Sequence, residues 1–137
     1  MRFMMIVRAN RDSEAGKLPS AELIAHMGKF NEEMAQAGVM LAGEGLQASA
    51  KGARVSFRGG APQVVEGPFP PEELIGGFWI IRVDSKEQAI AWAKRVPFDE
   101  GVIEIRQVFE AEDFGDRLTP EARGAEARLR DRLAGRS

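Results

Sequence analysis

Cysteine is missing from the 137-residue chain, and histidine occurs once, at His26. The first absence excludes disulfide frameworks, zinc ribbons, thiol nucleophiles and iron–sulfur clusters. The second leaves any metal site to His26 with carboxylates, or to carboxylates alone, because no second histidine completes an H-x-x-x-H pair. The expectation is therefore no metal and no cofactor. Neither sign of charge dominates: 19 Lys and Arg against 21 Asp and Glu leave a net charge of −2. That balance gives no global attraction to nucleic acid or to an anionic membrane. No apolar run approaches the ~20 residues of a membrane span. The opening Met1-Arg2-Phe3-Met4-Met5-Ile6-Val7-Arg8 is too short and turns polar too soon for a secretory signal. A cytoplasmic location is the resulting expectation, and the lack of thiols fits a reducing compartment. Gly43-x-Gly45 and Gly59-Gly60 make neither G-x-G-x-x-G nor a phosphate loop, so no nucleotide is expected.

What is present suits one soluble domain of about 100–200 residues. Hydrophobic residues make up 44% of the chain. A chain of this size buries roughly two-thirds of its unfolded surface and needs no staples. Phe3 to Val7 is apolar at both alternating sets, which predicts a strand covered on both faces. A polar loop follows from Asn10 to Lys17. Ser20 is placed to cap a helix whose Leu23, Met27, Phe30 and Met34 share one face, and Gly38 ends it. Val39 to Ala42 reads as the next strand, running into Gly43-Glu44-Gly45-Leu46. Ala53 to Arg58 and Gln63 to Glu66 flank Gly59-Gly60 as a hairpin. Phe78 to Val83 is a second strand apolar on both faces. Ser85 and Gln88 have the spacing of a capping box, opening a helix that Pro97 ends. Val102 to Phe109 predicts the last strand, with Ile103, Ile105 and Phe109 on one face and Glu104 and Arg106 on the other. Thr119-Pro120 starts a charged final helix with a thin stripe of Ala122, Ala125, Leu129 and Leu133.

Strand, helix, strand, hairpin, strand, helix, strand is the ferredoxin-like β-α-β-β-α-β pattern, an α+β class. The reading divides the chain into a ferredoxin-like domain over residues 1–115 and a C-terminal helical appendage of the same domain over 116–137. Helices cover one face of such a sheet. The two-sided apolar strands leave the other face needing cover, supplied either by a homodimer packing sheet against sheet or by the C-terminal segment of the same chain.

Five pieces in order carry a resemblance: Met1-Arg2-Phe3-Met4; Ala37-Gly38-Val39 into Gly43-Glu44-Gly45-Leu46; Glu66-Gly67-Pro68-Phe69; Gly76-Gly77-Phe78-Trp79; and Glu104-Ile105-Arg106-Gln107-Val108-Phe109. Together they resemble the YCII-related family, in particular its branch named for a D-G-P-F motif. The resemblance runs from Met1 to about Phe114. It implies a ferredoxin-like subunit that pairs into a dimeric α/β barrel. It also implies a regulatory context, since some members resemble sequences found beside or joined to extracytoplasmic-function sigma factors. In the wider family a His–Asp pair is proposed as catalytic, and a lyase acting on a chlorinated aromatic diol is known. Here Glu66 stands in the place of the motif's Asp, keeping the charge on a longer side chain.

The candidate catalytic residues are Glu44, Glu66 and His26. Glu44, between two glycines, is an acid/base group if buried, and a salt-bridged or solvated bulge residue otherwise. Glu66 opens a turn whose glycine and proline suit either a pocket mouth or turn geometry alone. Convergence of Glu44 and Glu66 would push one pKa up and make the pair an acid/base device. His26 lies at the edge of the apolar stripe of its helix, either functional or solvent-facing. The candidate substrate-binding residues are Arg106, Trp79 and Phe69. Arg106 either anchors an anionic substrate or forms an interfacial ion pair with Glu104. Trp79 either lines a cavity or fills the core, and Phe69 is a lid or a core residue.

Three functional readings follow. The first is a small dimeric protein with a pocket for a small organic molecule, with cofactor-free lyase-like or isomerase-like proton transfer if it is catalytic. The second is a non-catalytic ligand-sensing or accessory module linked to sigma-factor regulation. The third is a purely structural dimer with a filled interior. An enzyme would need a titratable group in an accessible cavity.

Overall fold

The computed structural model describes residues 1–135. They divide into two compact units, the first spanning Met1–Gln107 and the second beginning at Val108. The first contains β1 (Arg2–Arg8), α1 (Arg11–Glu14), α2 (Ala21–Gln36), β2 (Met40–Gly45), β3 (Ala53–Arg58), β4 (Ala61–Glu66), β5 (Ile75–Arg82), α3 (Lys86–Ala93) and β6 (Ile103–Gln107). Four strands form one antiparallel sheet in the order β2-β5-β1-β6, and β3 pairs only with β4. The first core strand is thus central and the sequence neighbours β5 and β6 flank it. This is the ferredoxin-like α+β arrangement with a hairpin inserted before β5. The sheet of the single chain is open, with β2 and β6 at its edges.

Alternation decides what each face does. Phe3 and Met5 of β1 and Trp79, Ile81 and Val83 on or just after β5 point to the helices. There they meet Phe30 and Met34 of α2, Ala89 of α3, and Val96. Fully burying each of the larger of these side chains is worth about 1.5–3 kcal/mol, so this one cluster supplies most of the driving force. The opposite face carries two rows that run across all four strands. One is Glu44, Phe78, Ile6 and Glu104; the other is Ala42, Ile80, Met4 and Arg106.

Caps hold the helix ends where the sequence places them. The Ser20 hydroxyl accepts the Leu23 amide at 3.1 Å, and Gly38 leaves α2 with φ +73°. Ser85 accepts the Gln88 amide at 3.2 Å, but the Gln88 side chain reaches the amide of Asp84 rather than that of Ser85. The reciprocal bond of the expected capping box is therefore shifted by one residue. Helix α3 ends at Ala93, and Val96 reaches the core from the turn that follows. The polar loop after β1 contains the short helix α1, where Asn10 accepts the Ser13 amide and the Ser13 hydroxyl accepts the Asn10 amide. At the hairpin tip, Gly59 and Gly60 adopt φ +60° and +85°, the two positive values that a two-residue primed turn needs.

In the second unit two short 3₁₀ turns, broken by a non-helical Gly115, span Ala111–Arg117, and α4 spans Pro120–Ala134. Strand β6 stops at Gln107, so Phe109 is not a strand residue; its ring stacks on Phe114 at 4.9 Å. Thr119 caps α4 by accepting the Ala122 amide. Among the described residues no helix is long and apolar enough to cross a membrane.

Candidate functional site

Glycine spacing on adjacent strands produces the site. Gly43 of β2 lies opposite Trp79 of β5, and Gly45 lies opposite Gly77. Of these four helix-facing positions, Trp79 alone carries a side chain. Above them α2 presents Leu23 and Met27 and, on the adjoining stripe, Ile24, Gly28 and Asn31. A missing side chain below and a glycine above leave a cavity of about 800 Å³ between helix and sheet. Its outer wall is the segment Asn10 to Ser20, and Phe98 closes another side. A Cβ built at Gly45 or at Gly28 would meet nothing within 4 Å, so neither position is crowded. The volume falls within the roughly 300–1,000 Å³ usual for small-molecule sites.

Trp79 is 5% exposed and forms one wall. Its ring meets Phe30 edge-on, with centroids 5.7 Å apart and planes at 81°, and its indole N–H donates to Asn31 Oδ1 at 2.8 Å. It both packs the core and borders the cavity. Arg8, Lys17, Asp12 and Glu44 are the charged residues that border the cavity, but Arg8, which reaches Glu104, and Glu44 direct their side chains to the sheet face away from the helices. Lys17 lies 3.9 Å from Asp12. Arg8 donates to the Glu72 carbonyl at 2.8 Å and lies 3.7 Å from Glu104.

The other candidates lie elsewhere. His26 is exposed on α2, and Glu66 is exposed at the end of β4 opposite Ala53; neither borders the cavity. Arg106 is exposed on the face away from the helices and pairs with Glu104 at 3.3 Å. It is three strand spacings from Glu44, about 14 Å across the sheet. Phe69 lies under the Arg54 guanidinium at 4.0 Å, and Arg54 pairs with Glu73 at 3.2 Å. The cavity is thus walled by Trp79 and bordered at Glu44, whose exposed side chain belongs to the other sheet face, and it leaves out His26, Glu66, Phe69 and Arg106. Among the described residues no cluster of His, Asp and Glu could hold a metal ion.

The Glu66-Gly67-Pro68-Phe69 turn is held by its neighbours. The Gly67–Pro68 peptide is cis. The Phe69 amide donates to the Ser49 hydroxyl at 2.9 Å, and that hydroxyl donates in turn to Glu14. The Ser49 amide donates to the other Glu14 oxygen at 2.9 Å. A Cβ on Gly67 would come 1.8 Å from the Ser49 carbonyl oxygen. Glycine is therefore required there by contact. Glu14 and Ser49 had no signal in the sequence, and Asn31 only a faint one, a polar residue four positions beyond Met27. Gly28 offered more: a glycine inside an amphipathic helix costs about 1 kcal/mol against alanine and asks for a reason.

A family model for the YCII-related domain matches residues 1–112. The chain belongs to the YCII-related family. The match spans all four strands of the YCII sheet, both helices packed on it, the hairpin and every residue that borders the cavity. Among curated proteins none matches this YCII-related chain at a significant level.

Proposed function

We propose that this YCII-related protein binds a small organic molecule between α2 and the sheet. The observation that supports the reading most is the cavity itself. Helix α2 could have packed on ordinary side chains, and instead glycines at 28 and 45 face open space, leaving about 800 Å³ beside a nearly buried tryptophan. None of the three acid/base candidates directs its titratable group into that space: His26 and Glu66 do not border it, and Glu44 is exposed with its side chain on the sheet face away from α2. The same reading includes a homodimer formed through the second sheet face, where Met4, Ile6, Phe78 and Ile80 make an apolar centre and Glu104 and Arg106 an ion-paired edge.

Gly45→Leu tests the binding reading, since its side chain would enter open space. A thermal-shift screen of small aromatic compounds should yield ligands that stabilise the native chain and not the variant. A ligand at 100 times its Kd adds about 2.7 kcal/mol. The reading is wrong if no compound shifts the native protein, or if the variant responds to every compound as the native chain does.

A further inference from the structure

We propose that Asn31 reads an uncharged hydrogen-bond acceptor, a carbonyl or ether oxygen, on an otherwise apolar ring ligand. This rests on the cavity being a binding site and specifies what it accepts.

The assignment starts from Trp79. Indole N–H is a donor only, and an asparagine amide has one acceptor oxygen and one donating NH₂. The 2.8 Å bond from Trp79 therefore fixes which way the Asn31 amide faces. Trp79 cannot turn away, because it is nearly buried and held edge-on by Phe30. The oxygen of Asn31 is thus occupied, and the NH₂ remains. Among the described residues no protein acceptor meets that NH₂, yet no buried side-chain polar atom lacks a partner. The NH₂ must reach open space, and Asn31 borders the cavity. The site thus presents a fixed donor with no matching acceptor in the protein.

The other walls narrow the ligand further. Both cations at the cavity are already engaged, Lys17 with Asp12 and Arg8 with Glu72 and Glu104. With Arg8 and Glu44 turned to the other sheet face, Lys17 and Asp12 remain and balance, leaving no net charge to attract an ion. The backbone groups of the glycine floor lie in the plane of the sheet, toward the partner strand or out of the open edge of β2, and not up toward the helix. Such a floor is flat and offers a ligand contact rather than hydrogen bonds. Leu23, Met27, Trp79 and Phe98 supply apolar walls. A ring system lying against the sheet, with one acceptor directed at Asn31, satisfies each of these surfaces.

Two neutral naphthalene dyes test the idea: propionyl-dimethylaminonaphthalene, which carries a ketone, and dimethylaminonaphthalene, which lacks it. Each is titrated by fluorescence into the native protein, Asn31→Leu and Asn31→Asp. The aspartate keeps an acceptor for Trp79 and removes the donor, so it remains informative if the leucine variant fails to fold. The native protein should bind the ketone about fivefold to tenfold more tightly than the parent ring, the usual worth of one hydrogen bond. That preference should vanish in both variants, read as the ratio of the two affinities within each variant and so independent of any change in binding of the parent ring. Equal binding of the two dyes by the native protein, or a preference that survives both substitutions, overturns the role of Asn31 and leaves the cavity reading intact. Tighter binding of the anionic dye anilinonaphthalene sulfonate than of the ketone overturns the uncharged ligand. If neither neutral dye binds the native protein at its solubility limit, the binding reading fails and takes this one with it.

Discussion

The Ser49 hydroxyl accepts the Phe69 amide and donates to Glu14, so one oxygen ties the turn over residues 66–69 to the segment before α2. Ser49→Ala leaves the Phe69 amide and the Glu14 carboxylate without this partner. The expected loss is about 1–2 kcal/mol, read as a lower urea midpoint at unchanged slope. Gly67→Ala should cost more, about 3 kcal/mol, because the added methyl meets backbone that cannot swing aside. By contrast Arg106→Ala removes an exposed ion pair and should change stability by less than about 1 kcal/mol. The turn itself was legible in Glu66-Gly67-Pro68-Phe69. Its anchors were not, since Glu14 and Ser49 lie 35 residues apart and a side-chain hydrogen bond leaves no periodic trace in sequence.

Helices and strands long enough to show a period were legible, and their caps with them. Helix α2 announced itself by Leu23, Met27, Phe30 and Met34 and by Ser20 before them. Four residues of α1 are barely one turn, too few for a period to emerge. Phe109 continues the alternation of β6 in the sequence, but pairing ends with the partner strand: Gln107 is opposite Phe3, and only Arg2 remains of β1 beyond it. The hairpin of β3 and β4 tests element autonomy. Two isolated strands are marginal by themselves, and Phe57 is 76% exposed on its surface. Gly60→Ala forces a side chain into φ +85° at a cost of about 1–2 kcal/mol. Hydrogen exchange should quicken at the hairpin amides and stay unchanged at β1 and β5, because the damage is confined to one locally unfolding unit.

At the scale of the whole molecule, the order β2-β5-β1-β6 follows from the succession of elements, which is why the ferredoxin-like pattern could be read before any coordinates. The cavity could not. It rests on absences from two elements far apart in sequence, Gly45 of β2 and Gly28 of α2, and only the packing of α2 on β2 and β5 brings them to one space beside Trp79. The proposed dimer belongs to this scale too. Sedimentation velocity at micromolar concentration should show a dimer for the native chain and a monomer for Ile80→Lys, which sets a charge in the middle of the apolar row. A native monomer at those concentrations removes the homodimer from the proposal.

Trp79 also has an optical consequence. The chain has two tryptophans and no tyrosine. Trp92 sits beneath the Arg95 guanidinium at 4.4 Å and does not border the cavity. Trp92→Phe therefore leaves an emission spectrum that comes from the cavity wall alone. Any compound that displaces water there, or weakens the indole's bond to Asn31, shifts the colour of that light. The protein carries its own gauge of whether the space is filled, with no label attached.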